Sequence, residues 1–253
     1  MEPGISERRR STARMRSPYV RVYREEKQRP VLLVVDQRAS MFFGSVRAMK
    51  SVTAAEAAAV AAHRVLAGGD AIGALIFGDR EVAALPPRAT PRHLQRMLGV
   101  LRDYNHALGR ESPPPDPTGL DRALEQVARL ATHNHLVLLI SDLYGASADN
   151  TRRLATEIRR RNDLVVLWVH DPLELALPPL GAAVLSDGRM QVQVDTSDPK
   201  VAARFADDVS ARRERAEDFA LRYDVPLLPL STAEEVAAQL RRLIGRLQPP
   251  RRA

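Results

Sequence analysis

A run of Val31-Leu32-Leu33-Val34-Val35 that turns polar at Asp36 leaves a chain few options. Five consecutive apolar residues without alternation fit a strand buried on both faces, the pattern of a parallel sheet. The pattern returns at Leu136-Val137-Leu138-Leu139-Ile140, which ends in Ser141-Asp142. Parallel strands need long crossovers, and helical sequence patterns lie between these runs.

Those patterns read in order. Residues 46–67 form an Ala-rich helix stopped by Gly68-Gly69, and 71–77 a strand. Residues 81–85 form an antiparallel edge strand, and 91–102 a helix with Pro91 near its first position. The Pro-rich stretch 112–117 is a stiff loop that delivers Thr118, followed by helix 119–132. Strand 136–141, helix 149–161 and strand 163–169 come next. A β-ribbon over 171–196 turns at Ser186-Asp187-Gly188. A charged helix over 199–222, strand 225–229 and helix 232–247 close the series. Residues 18–27 alternate apolar and polar, as an edge strand or extended arm would. The expectation is an α/β fold: a mostly parallel, doubly wound sheet with helices on both faces and a β-hairpin insertion. One domain would span 17–247, with a disordered basic arm at 1–16 and a tail at 248–253.

The chain has 253 residues, no cysteine and no long apolar run, so disulfides, thiolate chemistry and a membrane-spanning helix are not expected. The first residues carry Arg8-Arg9-Arg10 and no apolar core of a secretory signal, which suggests a cytoplasmic protein. Residues 1–30 hold nine basic and four acidic side chains, five of the net charge of +7. Such an arm suits nucleic acid, anionic lipid or an acidic protein face; it also suits a plain solvated tail. Only three lysines occur, and the dominance of arginine throughout reads as coding bias.

Ligands of open α/β sheets bind beyond the carboxyl ends of the strands. Asp36 and Asp142 lie there, with Ser40 and Thr118 on adjoining loops. Oxygen donors of this kind begin a site for a hard cation such as Mg²⁺. The plainer reading is that Asp36 and Asp142 cap loops and helices. No phosphate-binding Gly-x-x-x-x-Gly-Lys-Ser/Thr run, dinucleotide fingerprint or Gly-x-Ser-x-Gly elbow is present. His133 and His135 lack a third ligand and fit a surface or cap, while His63 and His93 read as helix-surface residues. Trp168 reads as core.

Several segments together resemble a known family. They are Tyr23-Arg24-Glu25-Glu26, then Asp36 to Ser40-Met41-Phe42-Phe43-Gly44, and Lys50. Gly69-Asp70-Ala71-Ile72-Gly73, Ile140-Ser141-Asp142-Leu143, Val169-His170-Asp171-Pro172-Leu173-Glu174 and Leu177-Pro178 continue the match. In this order they resemble the bacterial domain-of-unknown-function 58 proteins, which are von Willebrand factor A-like, over roughly residues 12–245. The resemblance implies a Rossmann-like von Willebrand factor A domain with a metal-ion-dependent adhesion site. It implies Mg²⁺ ligation by Asp36, Ser40, Thr118 and Asp142, with Asp116 as a further candidate, and one position left for an acidic residue of a partner. It also implies partnership with a MoxR-type AAA+ ATPase in a chaperone-like system. This chain resembles a shortened member without membrane helices.

Arg38 stands where the pattern has its first Ser ligand. A guanidinium donates and cannot accept, so it cannot ligate a cation. Three arrangements are open: a site weakened by one ligand, Arg38 in the cation's place against Asp36 or Asp142, or Arg38 turned outward with water in the gap. In the second, an acidic partner docks on a fixed positive charge, with Arg38 and Asp116 as partner-binding residues. A non-enzymatic interaction module is the leading expectation, and a Mg²⁺-assisted hydrolase or phosphatase acting through Asp36 is the alternative. A nucleic-acid role for the basic arm is a third.

Overall fold

The computed structural model describes residues 29–109, 111–146, 149–175, 182–186, 191–195, 214, 216–218, 220 and 224–247. The arm, most of the charged segment 199–222 and the tail lie outside them.

Strand β1 (Val31–Asp36) is buried along its whole length and is followed by a 3-10 turn at Ala39–Met41. Helix α1 (Lys50–Ala67) leads to β2 (Ile72–Phe77), also buried throughout. Strand β3 (Val82–Arg88) pairs antiparallel with β2 at the sheet edge. It carries Pro86 and Pro87, which lack N–H donors and blunt an exposed edge. Helix α2 (Pro91–Ala107) is capped by Thr90, whose hydroxyl accepts from the His93 N–H. Helix α3 (Gly119–Leu130), β4 (Leu136–Ser141), α4 (Asn150–Arg159), β5 (Asp163–His170) and the short α5 (Pro172–Leu175) follow. The antiparallel pair β6 (Ala182–Ser186) and β7 (Gln191–Asp195) forms a separate two-stranded sheet. Strand β8 (Leu227–Ser231) and α6 (Val236–Leu247) end the described chain.

The main sheet has six strands in the order β3-β2-β1-β4-β5-β8, parallel except for β3. Successive side chains of a strand point to opposite faces, and β1 shows this directly. Val31, Leu33 and Val35 pack with Ala54, Ala57 and Ala58 of α1, Met97 of α2 and Leu240 of α6. Leu32 and Val34 pack with Leu120, Leu124 and Val127 of α3 and Ile158 of α4. The alanines of α1 let its backbone lie close to the sheet. The expected two-sided α/β sandwich is present.

Several boundaries differ from the sequence reading. Helix α1 begins at Lys50, not 46, because residues 42–49 form a loop held elsewhere: the Lys50 N–H donates to Phe43 O and the Ser45 N–H to Asp171. Helix α2 runs five residues further than expected, β3 three residues further, and β8 sits two residues later. The ribbon is narrower than 171–196, since α5 occupies 172–175. His93, expected on the helix surface, is buried at the contact of α2 with the sheet, and burial lowers its pKa. Trp168 is half-buried, tilted against His170 at 5.1 Å between ring centres.

Candidate functional site

The chain leaves β1 toward β2 and β3, then crosses to the other side of β1 for β4, β5 and β8. The strand order therefore reverses between β1 and β4, and such a switch point opens a crevice at the carboxyl ends. Asp36 ends β1, and Asp142 follows the last residue of β4. The two carboxylates face this crevice.

Acidic residues end more strands than these two. Asp79 follows β2 by two residues, and Asp171 follows β5 directly. Each organises the loop beyond it. Asp36, Asp142 and Asp171 accept from the backbone N–H two residues on, at Arg38, Tyr144 and Leu173 (3.1, 2.9 and 2.9 Å). Asp116 does the same for Thr118 at 2.8 Å. These are Asx turns, in which a carboxylate replaces a backbone acceptor. Asp79 instead joins two loops, accepting from the N–H of Ala39 and of Asp116 at 2.7 Å each. The loop-capping role foreseen as the plain reading is thus present at both Asp36 and Asp142.

Arg38 is fully buried in the middle of this ring. Its Nε donates to Asp36 Oδ1 at 3.0 Å and its Nη2 to Asp36 Oδ2 at 2.6 Å, a bidentate fork. Nη1 donates to the carbonyls of Asp116 (3.2 Å) and Tyr144 (3.0 Å). Asp142 Oδ1 lies 3.8 Å from Nη2. The rings of Phe77 and Tyr144 flank the guanidinium at 5.4 and 6.0 Å. Burial works against the charge, but Asp36 outweighs it and raises the Arg38 pKa above its ordinary value. Asp36 has no oxygen left open: Oδ2 also accepts from the Ser141 hydroxyl at 2.6 Å.

Two glycines make room. A Cβ on Gly119 would lie 2.9 Å from Cδ of Arg38, so a side chain at the start of α3 would have to displace the pinned arginine. Gly145 has a φ of +75°, and a Cβ there would run into Pro117.

Lys50 is the second buried cation. Its Nζ bridges Asp142 Oδ2 at 2.9 Å and Glu174 Oε1 at 2.6 Å. Burial opposes its charge, yet the two carboxylates win and raise its pKa. Asp142 shows the reverse: burial would raise its pKa, but Lys50 and Arg38 hold it below the ordinary value. Ser40 Oγ approaches Asp142 Oδ1 only at 3.4 Å. Asp171, fully buried, joins three loops by accepting from the Ser45 N–H (2.8 Å), the Ser45 hydroxyl and the Thr232 hydroxyl (2.5 Å).

Thr118 stands at the rim. Its hydroxyl donates to Asp116 Oδ1 at 2.8 Å and accepts from Arg122 Nη1 at 3.0 Å. Arg122 also donates to Asp116 Oδ2 (2.6 Å) and to the Asp79 carbonyl. Those contacts, with Thr118 first, hold the Asp116 carboxyl at about 2. Arg122 is 45% exposed, whereas the Arg38 side chain is inaccessible. Arg122 is therefore an accessible positive charge at the rim of the site, and Arg38 is not.

Asp36, Arg38, Ser40 and Asp142 thus meet in one cluster, with Asp116 and Thr118 at its edge. The arrangement does not fit a divalent cation. The guanidinium fills the space between Asp36 and Asp142, both oxygens of Asp36 are engaged, and the Thr118 hydroxyl is directed to Asp116. Among the described residues no group of three or more His, Asp or Glu side chains is placed to hold a metal ion. The same geometry leaves Asp36 no face toward a substrate.

Sequence reasoning gave no role to Lys50, Asp79, Arg122, Asp171 or Glu174. The rule that picked out Asp36 and Asp142, an acid just past an apolar strand, also fits Asp79 and Asp171. Lys50, Asp171 and Glu174 lay in the matched segments. Arg122 carried no signal, being one arginine among many.

A Rossmann-like α/β domain with its loop cluster at the switch point defines the class. The family model for "Protein of unknown function DUF58" matches residues 9–216, and the chain belongs to that family. It is 29% identical over 248 residues to uncharacterized protein Rv1480 of Mycobacterium tuberculosis, covering 96% of this chain and 76% of that one. Uncharacterized protein Mb1516 of Mycobacterium bovis matches to the same extent. Similar solved structures include BatB from Bacteroides thetaiotaomicron, at 13% identity and TM-score 0.48, covering 86% of this chain and 98% of that one. A von Willebrand factor type A protein from Catenulispora acidiphila, at 12% identity, scores 0.43 and covers 78% of this chain and 42% of that one. At these scores the fold rests on the strand order and the two-sided helices. No helix among the described residues is long and apolar enough to cross a membrane.

Proposed function

We propose that this chain is a non-enzymatic protein-interaction module that presents the carboxyl end of its sheet to a partner. One observation carries the reading. The described residues include five exposed large apolar side chains: Val46, Met49, Val60, Tyr144 and Leu175. Four of them, all but Val60, lie on the segments that follow β1, β4 and β5. Single exposed apolar residues are ordinary, but their concentration on the segments at one end of the sheet supports reading that end as a contact surface. The Ser45–Asp171 contacts and the Lys50 bridge hold these segments together.

The family resemblance implies the partner, a MoxR-type AAA+ ATPase in a chaperone-like system. An acidic residue of that partner would meet Arg122 beside Thr118, not the buried Arg38. The test is the affinity of the purified chain for the purified ATPase. Arg122→Glu and Val46→Asp should each weaken binding by about tenfold or more, a loss of about 1.4 kcal/mol, with circular dichroism unchanged. Unchanged affinity in both folded variants would sink the reading.

A further inference from the structure

We infer that Arg38 is a resident cation in the place of the divalent ion, so that the loop cluster is complete, and competent to dock, without metal. The inference concerns the site on which the interaction reading rests, but its test needs no partner.

The guanidinium has the surroundings of a hard cation: Asp36, the carbonyls of Asp116 and Tyr144, and Asp142 at a longer distance. These oxygens come from the last residue of β1, from the segment after β4 and from the loop before α3, so one charge ties three segments, as a shared ion would. Lys50 neutralises the far side of Asp142. A Mg²⁺ ion would need several of these oxygens at about 2.1 Å in an octahedron, and would face a fixed positive group at the centre. Gly119 is shaped to the substitution, since its missing Cβ is the space through which Cδ of Arg38 passes.

A resident guanidinium differs from an ion in what it offers a partner. An ion has open coordination positions, and a carboxylate can enter them. Arg38 is inaccessible and its donors point inward. Docking then falls to the rim, where contacts are screened by salt and insensitive to chelators.

Calorimetric titration of the full chain with Mg²⁺ and with Mn²⁺, beside Arg38→Ser, tests this. The wild type should give no saturable heat, and its Tm should be the same in Mg²⁺ and in chelator. Folded Arg38→Ser should bind the ion and gain several degrees of Tm from it. Saturable binding by the wild type that is lost in Asp142→Asn overturns the inference. A folded Arg38→Ser that is blind to both ions also overturns it, because the space left by the guanidinium would not be an ion's place. If Arg38→Ser does not fold in chelator, the wild-type titration alone decides. A failure here leaves the Arg122 binding experiment untouched, so the two readings fail separately.

Discussion

At the scale of single residues, Arg38 and Gly119 make one unit. Arg38→Ala would strand the buried Asp36 carboxylate with only the Ser141 hydroxyl and one N–H, and breaking such a pair costs about 3–5 kcal/mol. Gly119→Ala pushes a methyl group against a side chain whose far end is pinned, an overpacking cost of about 1–3 kcal/mol. The two should not add. In an Arg38→Ser background Gly119→Ala should cost much less, and a double-mutant cycle in urea measures that coupling. Equal costs in both backgrounds would show that the glycine serves something else. The sequence announced Arg38 as the anomaly, since a donor stood among acceptors. It left three orientations open, because choosing among them required knowing that two carbonyls converge on Nη1. Carbonyl direction is a property of the folded backbone and has no residue type to reveal it.

At the scale of elements, strands were the most legible. β1, β2, β4 and β5 are essentially continuous apolar runs; β1 and β4 match the reading at both ends, and β2 and β5 differ from it by one residue at one end. The start of α1 was misread because Ser45-Val46-Arg47 is compatible with a helix, and its non-helical path is held by contacts the sequence does not display: Ser45 to Asp171 and the Lys50 N–H to Phe43 O. Asp171→Ala should therefore act on loops before strands. It removes the acceptor of Ser45, Leu173 and Thr232 together, a loss on the order of 3 kcal/mol. Hydrogen exchange should quicken at Ser45 and Leu173 while the β1 and β4 amides stay protected. Uniform acceleration across the sheet would contradict this.

For the whole molecule, the carboxyl end is a network of compensated buried charges, and this sets the pH response. Asp142 and Asp171 have pKa values held below their ordinary range in the folded state. Unfolding at acid pH therefore takes up protons, and stability falls as pH drops below the free carboxylate value of about 3.9. Lys50, raised in the fold, has the opposite sign: its contribution is present below about 10.4 and is lost as pH rises through the folded value. His93 and His170, lowered chiefly by burial, add a loss of stability that begins as pH falls below the free imidazole value of about 6.5. Urea unfolding should therefore show a stability plateau above that value, a first decline from the histidines and a further acid decline from the carboxylates. Asp142→Asn should lower the plateau and flatten that decline; an unflattened decline would place its origin elsewhere.

Arg38 also has a consequence in time. A metal site is filled from the surroundings, so its occupancy follows ion concentration and can fall to nothing. A guanidinium is delivered by translation, in a ratio of one to one, and needs no loading step. It cannot be withdrawn by starvation for magnesium or exchanged for a wrong metal. By the same token no change in ion supply can switch it off; on the docking reading proposed above, control would have to act on the rim or on the partner.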